Sequence, residues 1–323
     1  MTDHPKVSVI IVAYNMAREI PRTVFSFLPP YQRGLALEDV EILVLENGSD
    51  SPVDPACVAS WPSCVRYLTP DEIRPSPAYA LNFGARMARG DYVCPVIDGA
   101  RMASPGLLAH ALEAACGRAK PFIATVGLHL GEKPQQFAAA EGYDQGVEDA
   151  MLAQADWSSD GYRLFEIACF GRSAETGWFG KMSESNAPVL RREHFLEFGG
   201  FDTGFKTPGG GLVNLDFFRR CVEDEEVFYA LLLGEGTFHQ YHGGVSTSEP
   251  VKTAKPELGG KSVWDLYAEE YEQVRGRSWR PPRRTPYLFG QPVAAGLPPL
   301  RSMRRALGKA IRDTEAKQNE AKK

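Results

Sequence analysis

Residues 91–102 read Asp-Tyr-Val-Cys-Pro-Val-Ile-Asp-Gly-Ala-Arg-Met, a short apolar run that ends on one carboxylate, Asp98. In open α/β sheets, ligands bind in the crevice outside the carboxyl ends of the strands. A carboxylate at that edge can hold a metal ion or a ribose, so Asp98 is a candidate site residue. One alternative stays open, because an Asp here also caps a following helix or turn.

Outward from this stretch, apolar runs of strand length alternate with helical patterns. Residues 7–13 are apolar on both faces, which suits a central parallel strand better than a half-exposed one. The alternation predicts an α/β fold with a mostly parallel sheet flanked by helices. Strands are predicted at residues 7–13, 40–45, 65–68, 92–97 and 122–130, and helices at residues 16–28, 76–88, 104–116 and 214–223.

Beyond residue 130 the pattern is looser. Residues 135–155 are helical in composition, and residues 227–233 form an apolar strand or helix end before a loop at 236–244. Proline-rich segments at 281–286 and 297–299 predict extended connectors. The last two dozen residues are charged and predict a frayed helix or tail.

Composition excludes several classes of protein. The chain has 323 residues and a formal net charge of -5, which argues against a general binder of nucleic acid or anionic membrane. No apolar run approaches the roughly 20 residues that a membrane helix needs, so a cytoplasmic location is expected, with peripheral membrane contact left open. Six cysteines without Cys-x-x-Cys spacing disfavour a zinc site or a disulfide framework.

Several motifs in order resemble the family 2 glycosyltransferases of GT-A fold. The resemblance spans about residues 7–244, and motifs in the right order are more specific than any one alone. The matching segments are the opening strand and loop at 7–15, the Glu-Asn-Gly-Ser-Asp turn at 46–50, the series Asn82, Gly84, Ala88 and Gly90, and Gly-Gly-Phe-Asp at 199–202 preceded by Arg191-Arg192.

The resemblance implies transfer of a sugar from a nucleotide-diphosphate sugar to a hydroxyl acceptor with inversion. The implied acceptor is a glycan or glycolipid, as in surface polysaccharide synthesis. The implied parts are a nucleotide-sugar-binding half at 1–120, an acceptor-binding half at 121–250, and a C-terminal extension at 251–323. The implied nucleotide-sugar-binding residues are Ala13, Tyr14, Asn15, Glu46, Asn82, Asp98 and Arg191; for Arg191, a solvated surface position is the alternative.

The family's Asp-x-Asp metal motif is incomplete here, because Asp98-Gly99-Ala100 lacks the second carboxylate. A divalent ion, Mn²⁺ or Mg²⁺, remains the expected cofactor, since one carboxylate plus phosphate oxygens can hold it loosely. His239 and His242 are candidate additional ligands, and imidazole suits Mn²⁺ better than Mg²⁺. Alternatively, one histidine packs in the core and the other donates within a loop.

The family's catalytic Glu-Asp pair is also absent, since the matching positions read Val213-Asn214. Asp216 is the first candidate for the base that takes the acceptor proton, and Glu184 is the second. An acid in the first turn of a helix is the alternative for Asp216. Trp178 and Asp202 are candidate acceptor-binding residues, although an aromatic pair beside glycine is as often part of the core.

Two other functions compete with this interpretation. The missing acids favour a degenerate glycosyltransferase that binds nucleotide sugar or glycan without turnover. A nucleotidyltransferase would need a glycine-rich, basic triphosphate loop after the first strand, and residues 13–16, Ala-Tyr-Asn-Met, do not provide one.

Overall fold

The computed structural model describes residues 4–244, 253 and 255–290. The strands in this part of the chain are β1 Val7–Ala13, β2 Val40–Glu46, β3 Val65–Leu68, β4 Tyr92–Val96, β5 Arg101–Ala103, β6 Pro121–Leu130, β7 Ala168–Phe170, β8 Val189–Arg191, β9 Phe228–His239 and β10 Tyr287–Gly290. The α-helices are α1 Ile20–Phe27, α2 Pro55–Ser60, α3 Ala78–Met87, α4 Leu107–Ala115, α5 Gln135–Ala138, α6 Gln145–Ala155, α7 Arg192–Glu197, α8 Val213–Glu223 and α9 Val263–Arg275.

These strands form one sheet in the order β10-β9-β6-β8-β4-β1-β2-β3, with β5 paired to β9 and β7 paired to β6. Strands β1 to β4 pair in parallel, as do β6, β9 and β10. Strand β8 runs antiparallel between β4 and β6. The predicted α/β fold with a mostly parallel sheet flanked by helices is therefore confirmed.

The core lies on both faces of the sheet. Every residue of β1 and β2 is buried, because these runs are apolar on both faces. Alternate residues point to opposite faces, so Ile10 joins one core cluster while Val9 and Ile11 join the other. Helix α3 lies so close to the sheet that a β-carbon on Gly84 would come within 2.4 Å of Ile10 Cγ2. This central packing fixes the strand ends that carry the candidate site.

Several element boundaries differ from the prediction, and the largest differences are in α1, in α5 and α6, and in β9. Helix α1 begins at Ile20 instead of residue 16, because Pro21 favours a helix start in its own first turn. Gly142, with φ 92°, separates α5 from α6 within the predicted 135–155 helix. Strand β9 continues through His239, past the predicted end at 233, so His239 lies on a strand instead of in a loop.

The C-terminal described segment packs on the core through α9. Its start is capped by Ser262, whose Oγ accepts from the backbone N of Asp265 at 3.2 Å, and Tyr267 and Tyr271 belong to a core cluster. Among the described residues, no helix has the length and apolar character to cross a bilayer. The three-part division and the location stay predictions, and the predicted connector at 297–299 and the charged tail lie outside the described residues.

Candidate functional site

The loops that follow β1 and β2 are joined at the carboxyl edge of the sheet. The strand register sets Ala13 beside Glu46. The backbone N of Asn15 donates to Ser49 Oγ at 2.8 Å. Asn15 has φ 52°, a left-handed conformation that Asn tolerates better than most residues. The ring of Tyr14 is left 53% exposed beside this junction, so it is available to a ligand.

Glu46 is a buried carboxylate whose direction is fixed by neighbouring donors. The backbone N of Ser49 donates to its Oε1 at 3.0 Å, and the hydroxyl groups of Ser49 and Tyr67 also donate to it. Burial and the adjacent Glu46 raise the pKa of Tyr67, which keeps this phenol a donor. The lone pairs of Glu46 that remain can accept from a ligand hydroxyl or N–H.

Asp98 follows β4 at the same edge and lies against two histidines. Its Oδ2 is 2.8 Å from His239 Nε2, and its Oδ1 is 3.6 Å from His242 Nε2. The three candidate ligand atoms lie within 4.8 Å of one another. Asp98 Oδ1 also accepts from the backbone N of Ala100 at 3.2 Å. Asp98 therefore both caps the following turn, as the alternative predicted, and faces the two candidate histidine ligands.

The hydrogen bonds of Gln135 identify the proton on His239. Gln135 Nε2 donates to Glu148 Oε2 at 3.2 Å and to the carbonyl of His239 at 3.0 Å, so Gln135 Oε1 is the acceptor of this amide. It lies 2.5 Å from His239 Nδ1, which must carry the hydrogen. Burial lowers the pKa of His239 to about 4. At neutral pH the bare Nε2 lone pair therefore faces the Asp98 carboxylate.

Two acceptors that face each other need a cation between or beside them. Burial alone would raise the pKa of Asp98, but adjacent positive charge, including that of Arg101, holds it well below its usual range. His239 Nε2 is a buried atom without a hydrogen-bond donor among the described residues. An octahedral ion with ligands at about 2.1 Å sets adjacent ligand atoms about 3.0 Å apart. The separations of 2.8 and 3.6 Å fit this spacing, so Asp98, His239 and His242 fit a divalent ion.

A buried carboxylate that sequence reasoning missed positions the histidine segment. Glu148 is fully buried; its Oε2 accepts from the backbone N of Tyr241 at 2.8 Å and from the Tyr143 hydroxyl at 3.0 Å. Tyr241 lies between the two candidate histidine ligands, so Glu148 holds the end of β9 in place. Burial raises the pKa of Glu148 to about 7. The only sequence signal for Glu148 is an acidic residue within a predicted helix that has no clear apolar face.

A second polar group lies at the start of α8. Asn214 Nδ2 donates to Glu184 Oε2 at 2.8 Å and to Asn186 Oδ1 at 3.4 Å. A β-carbon on Gly127 would lie 3.2 Å from Asn186 Nδ2 and 3.4 Å from Arg101 Nη1. Arg101 in turn lies 3.8 Å from Asp98 Oδ2. Gly127 therefore lies between Asn186 of the Glu184 group and Arg101 beside Asp98.

Other predicted site residues have structural partners instead. Asp216 is 1% exposed; Arg275 donates to both of its oxygens at 2.6 Å, and Arg220 donates to Oδ2 at 2.8 Å. Asp202 pairs with Arg275 Nη1 at 2.7 Å. Trp178 is also 1% exposed, and its Nε1 donates to the carbonyl of Glu235. This geometry favours the packing alternatives for Asp216 and Trp178.

Asn82 and Arg191 also lie apart from the Asp98 group. Asn82 uses both ends of its amide on the backbone of Phe201, at 2.7 and 2.9 Å. Arg191 pairs with Tyr92 at the first residue of β4, and its guanidinium lies over that ring. Because a strand rises about 3.3 Å per residue, this position is about 20 Å along the chain from Asp98. The placement argues against contact between Arg191 and a ligand at the carboxyl edge.

Comparison with known proteins shows a family match over part of the chain and a shared fold. The model of the family described as Glycosyl transferase family 2 matches residues 8–125. No curated protein matches the chain. The solved structure of S. aureus TarS 1–349 with UDP-GlcNAc is 12% identical, with a TM-score of 0.51 over 83% of this chain and 66% of that one. This likeness confirms the expected GT-A fold.

Two further structures were found at lower similarity. S. aureus TarS has a TM-score of 0.48 and 12% identity over 73% of this chain and 37% of that one. The mannosyltransferase PcManGT from Pyrobaculum calidifontis, in complex with GDP-Man and Mn²⁺, has a TM-score of 0.44 and 18% identity over 70% of this chain and 55% of that one. The chain therefore spans roughly a third to a half of the length of these two proteins.

Proposed function

We propose that this chain transfers a sugar from a nucleotide-diphosphate sugar to a hydroxyl acceptor with inversion, and the match of residues 8–125 to the model of Glycosyl transferase family 2 supports this. The observation that carries the proposal is the arrangement at the carboxyl edge of the sheet. Strands β1, β2 and β4 are adjacent and parallel, and Tyr14, Glu46 and Asp98 lie at or just after their carboxyl ends. The Tyr14 ring and the Glu46 carboxylate suit a nucleoside. We propose that the diphosphate attached to it lies next to Asp98.

Glu184 is the base that this geometry supports best. Its carboxylate needs only the Asn214 amide as a partner, whereas both oxygens of Asp216 are bound by arginines. The acceptor hydroxyl gives its proton to Glu184 while its oxygen forms a bond to the anomeric carbon. The bond from that carbon to the diphosphate oxygen breaks on the opposite face, and its electron pair leaves with the diphosphate. Inversion at the carbon follows from this single displacement.

Asp98, His239 and His242 are the residues that would hold a divalent ion, which supplies positive charge against the leaving diphosphate when it is bound. The chain's own part is to keep these ligands in one orientation. Gln135 fixes the tautomer of His239, and Glu148 fixes the backbone beside His242. Such outer contacts orient ligands before an ion arrives.

The second candidate function is binding of a nucleotide sugar or glycan without turnover. It is favoured by Asn214, an amide at the position where the family carries an acid, and by Ala100 in place of the second carboxylate. The two functions differ at Glu184, because a binding protein needs no base. The acceptor that we propose, a glycan or glycolipid hydroxyl, rests on the family alone.

A thermal-shift panel tests the proposal. UDP, GDP, dTDP and CMP are added with and without Mn²⁺ to the wild type and to Asp98→Ala. A ligand at about 100 times its Kd stabilises the native state by about 2.7 kcal/mol. We expect one nucleotide to raise Tm. We expect Asp98→Ala to abolish the portion of this Tm increase that depends on Mn²⁺. Absence of any nucleotide shift in the wild type would contradict the proposal.

A further inference from the structure

Arg101 is a buried arginine next to the candidate diphosphate site that neither the family motifs nor the mechanism above uses. It is the first residue of β5, directly opposite His239 of β9, and it follows Ala100 in the chain. Its exposure is 8%. Nε and Nη1 of its guanidinium are buried and have no hydrogen-bond partner within the described part of the chain.

Burial of guanidinium donors without acceptors is costly, because these N–H groups lose their hydration and gain no hydrogen bond in return. The nearest acid is Asp98, whose Oδ2 lies 3.8 Å from Arg101 Nε. That distance is too long for a hydrogen bond, and the same oxygen is 2.8 Å from His239. Gly127 leaves space beside Nη1, since a β-carbon there would lie only 3.4 Å away. These donors therefore lack an acceptor within the described part of the chain, and an anion that reaches the guanidinium would supply one.

The charges around Arg101 indicate which kind of anion would bind there. An Asp-x-Asp site without an ion carries two negative charges and repels a diphosphate. Here Ala100 removes one of those charges and Arg101 adds a positive one. The charges of Asp98 and Arg101 offset each other, so an anion meets less repulsion here than at a pair of carboxylates. Arginine donors in a fixed fork match phosphate oxygens well.

We propose that the Arg101 guanidinium binds the diphosphate of the donor, so that nucleoside diphosphate binds this chain without a divalent ion. The inference deepens the proposed function and rests on it. A sugar carboxylate is the other anion that a guanidinium could take, but the position of Arg101 beside Asp98 favours the diphosphate. Arg101 is thus a substrate-binding residue in place of the missing second metal ligand.

The test is isothermal titration of UDP and GDP, in EDTA, into the wild type, Arg101→Gln and Arg101→Lys. We expect the wild type to bind one of them, and Arg101→Gln to bind it at least about tenfold more weakly, since hydrogen bonds to charged groups are strong. Arg101→Lys keeps the charge but not the two-point contact, and we expect at least about threefold weaker binding. It also provides the test if Arg101→Gln fails to fold.

Arg66→Gln is the matched control. Arg66 is also a partly buried arginine, but it pairs with Glu41 at 2.9 Å away from the site, so its loss should lower Tm and leave nucleotide affinity unchanged. Equal affinities of wild type and both Arg101 variants in EDTA would overturn the inference alone. So would a wild type that binds nucleotide only with Mn²⁺, or a dependence on Arg101 seen only with a uronate sugar nucleotide. No nucleotide binding with or without Mn²⁺ would overturn the proposed function and this inference together.

Discussion

His239 Nε2 lies 2.8 Å from Asp98 Oδ2 and presents its lone pair to that carboxylate. The orientation of this lone pair depends on Gln135, whose side-chain carbonyl oxygen accepts a hydrogen bond from His239 Nδ1. The pair therefore predicts a cation site. We expect Mn²⁺ to bind the wild type, and His239→Ala or Asp98→Asn to weaken it at least about tenfold, the range seen when ligand sets are disturbed.

Electron paramagnetic resonance of free Mn²⁺ measures this binding directly, without substrate. His110→Ala is the control, because His110 is also bonded to a carboxylate, Glu235, at 2.9 Å but lies outside the ligand set. Equal Mn²⁺ binding by the wild type and His239→Ala would contradict the assignment.

Replacement of Glu184 by glutamine should stop turnover while donor binding remains. General base catalysis contributes about 10² to 10⁴ in rate, so kcat should fall at least about 100-fold. The Asn214 amide can still donate to the side-chain carbonyl of the new glutamine, so the fold should be retained, and an unchanged Tm would verify this. The measurement is nucleoside diphosphate release, with the donor KM recorded separately. A kcat within about threefold of wild type would exclude Glu184 as the base.

Asp216→Asn should lower the free energy of unfolding, because Asp216 has a structural role and not a catalytic one. The change leaves Arg275 and Arg220 without the charge that they share, and breaking a buried pair costs about 3–5 kcal/mol. Urea unfolding measures the loss. Glu223→Gln is the matched control: it also breaks a pair with an arginine four residues away on α8, Arg219, but at the surface, where the expected loss is about 0–1 kcal/mol. Similar losses for both variants would contradict the structural role of Asp216.

Glu148 should make stability depend on pH. Burial raises its pKa from 4.5 to about 7, so between these values the folded chain holds a proton that the unfolded chain releases. The free energy of unfolding therefore falls as pH rises through this window, by about 1.4 kcal/mol for each unit of pKa shift. In Glu148→Gln this component is absent, and the decline of Tm from pH 5 to 7 should be shallower.

Glu141→Gln is the control for this pH dependence, because Glu141 is a largely exposed acid that pairs with Lys133 at the surface. Its Tm profile should follow that of the wild type. Parallel profiles for the wild type and Glu148→Gln would show that Glu148 does not hold the extra proton.

The sequence was sufficient for the elements whose residues are apolar on both faces. Strand β1 was predicted with its observed limits, and β2 and β4 within one residue, because a buried parallel strand is a continuous local pattern. Strand β9 was predicted too short, since Gly234 and Gly236 interrupt its apolar run. Only its pairing with β5 and β6 extends it to His239.

Residues of the candidate site could be predicted from the sequence only where they belong to a family motif or lie near the end of a strand. Asp98 and the two histidines were named from the sequence, and the structure brings them within ligand distance of one another. Arg101, Glu148 and Gln135 were missed, because their roles depend on long-range contacts that no spacing in the sequence records. The arginine partner of Asp216 was missed for the same reason, since Arg275 lies 59 residues away in the chain.

The measurement that tests the account most directly is donor turnover, followed by proton NMR with UDP-, GDP- and dTDP-sugars and glycan acceptors. We predict that the wild type releases nucleoside diphosphate from one donor, that the product has the inverted anomeric configuration, and that Glu184→Gln is at least about 100-fold slower. A donor that binds without turnover, or a product of retained configuration, would contradict the account.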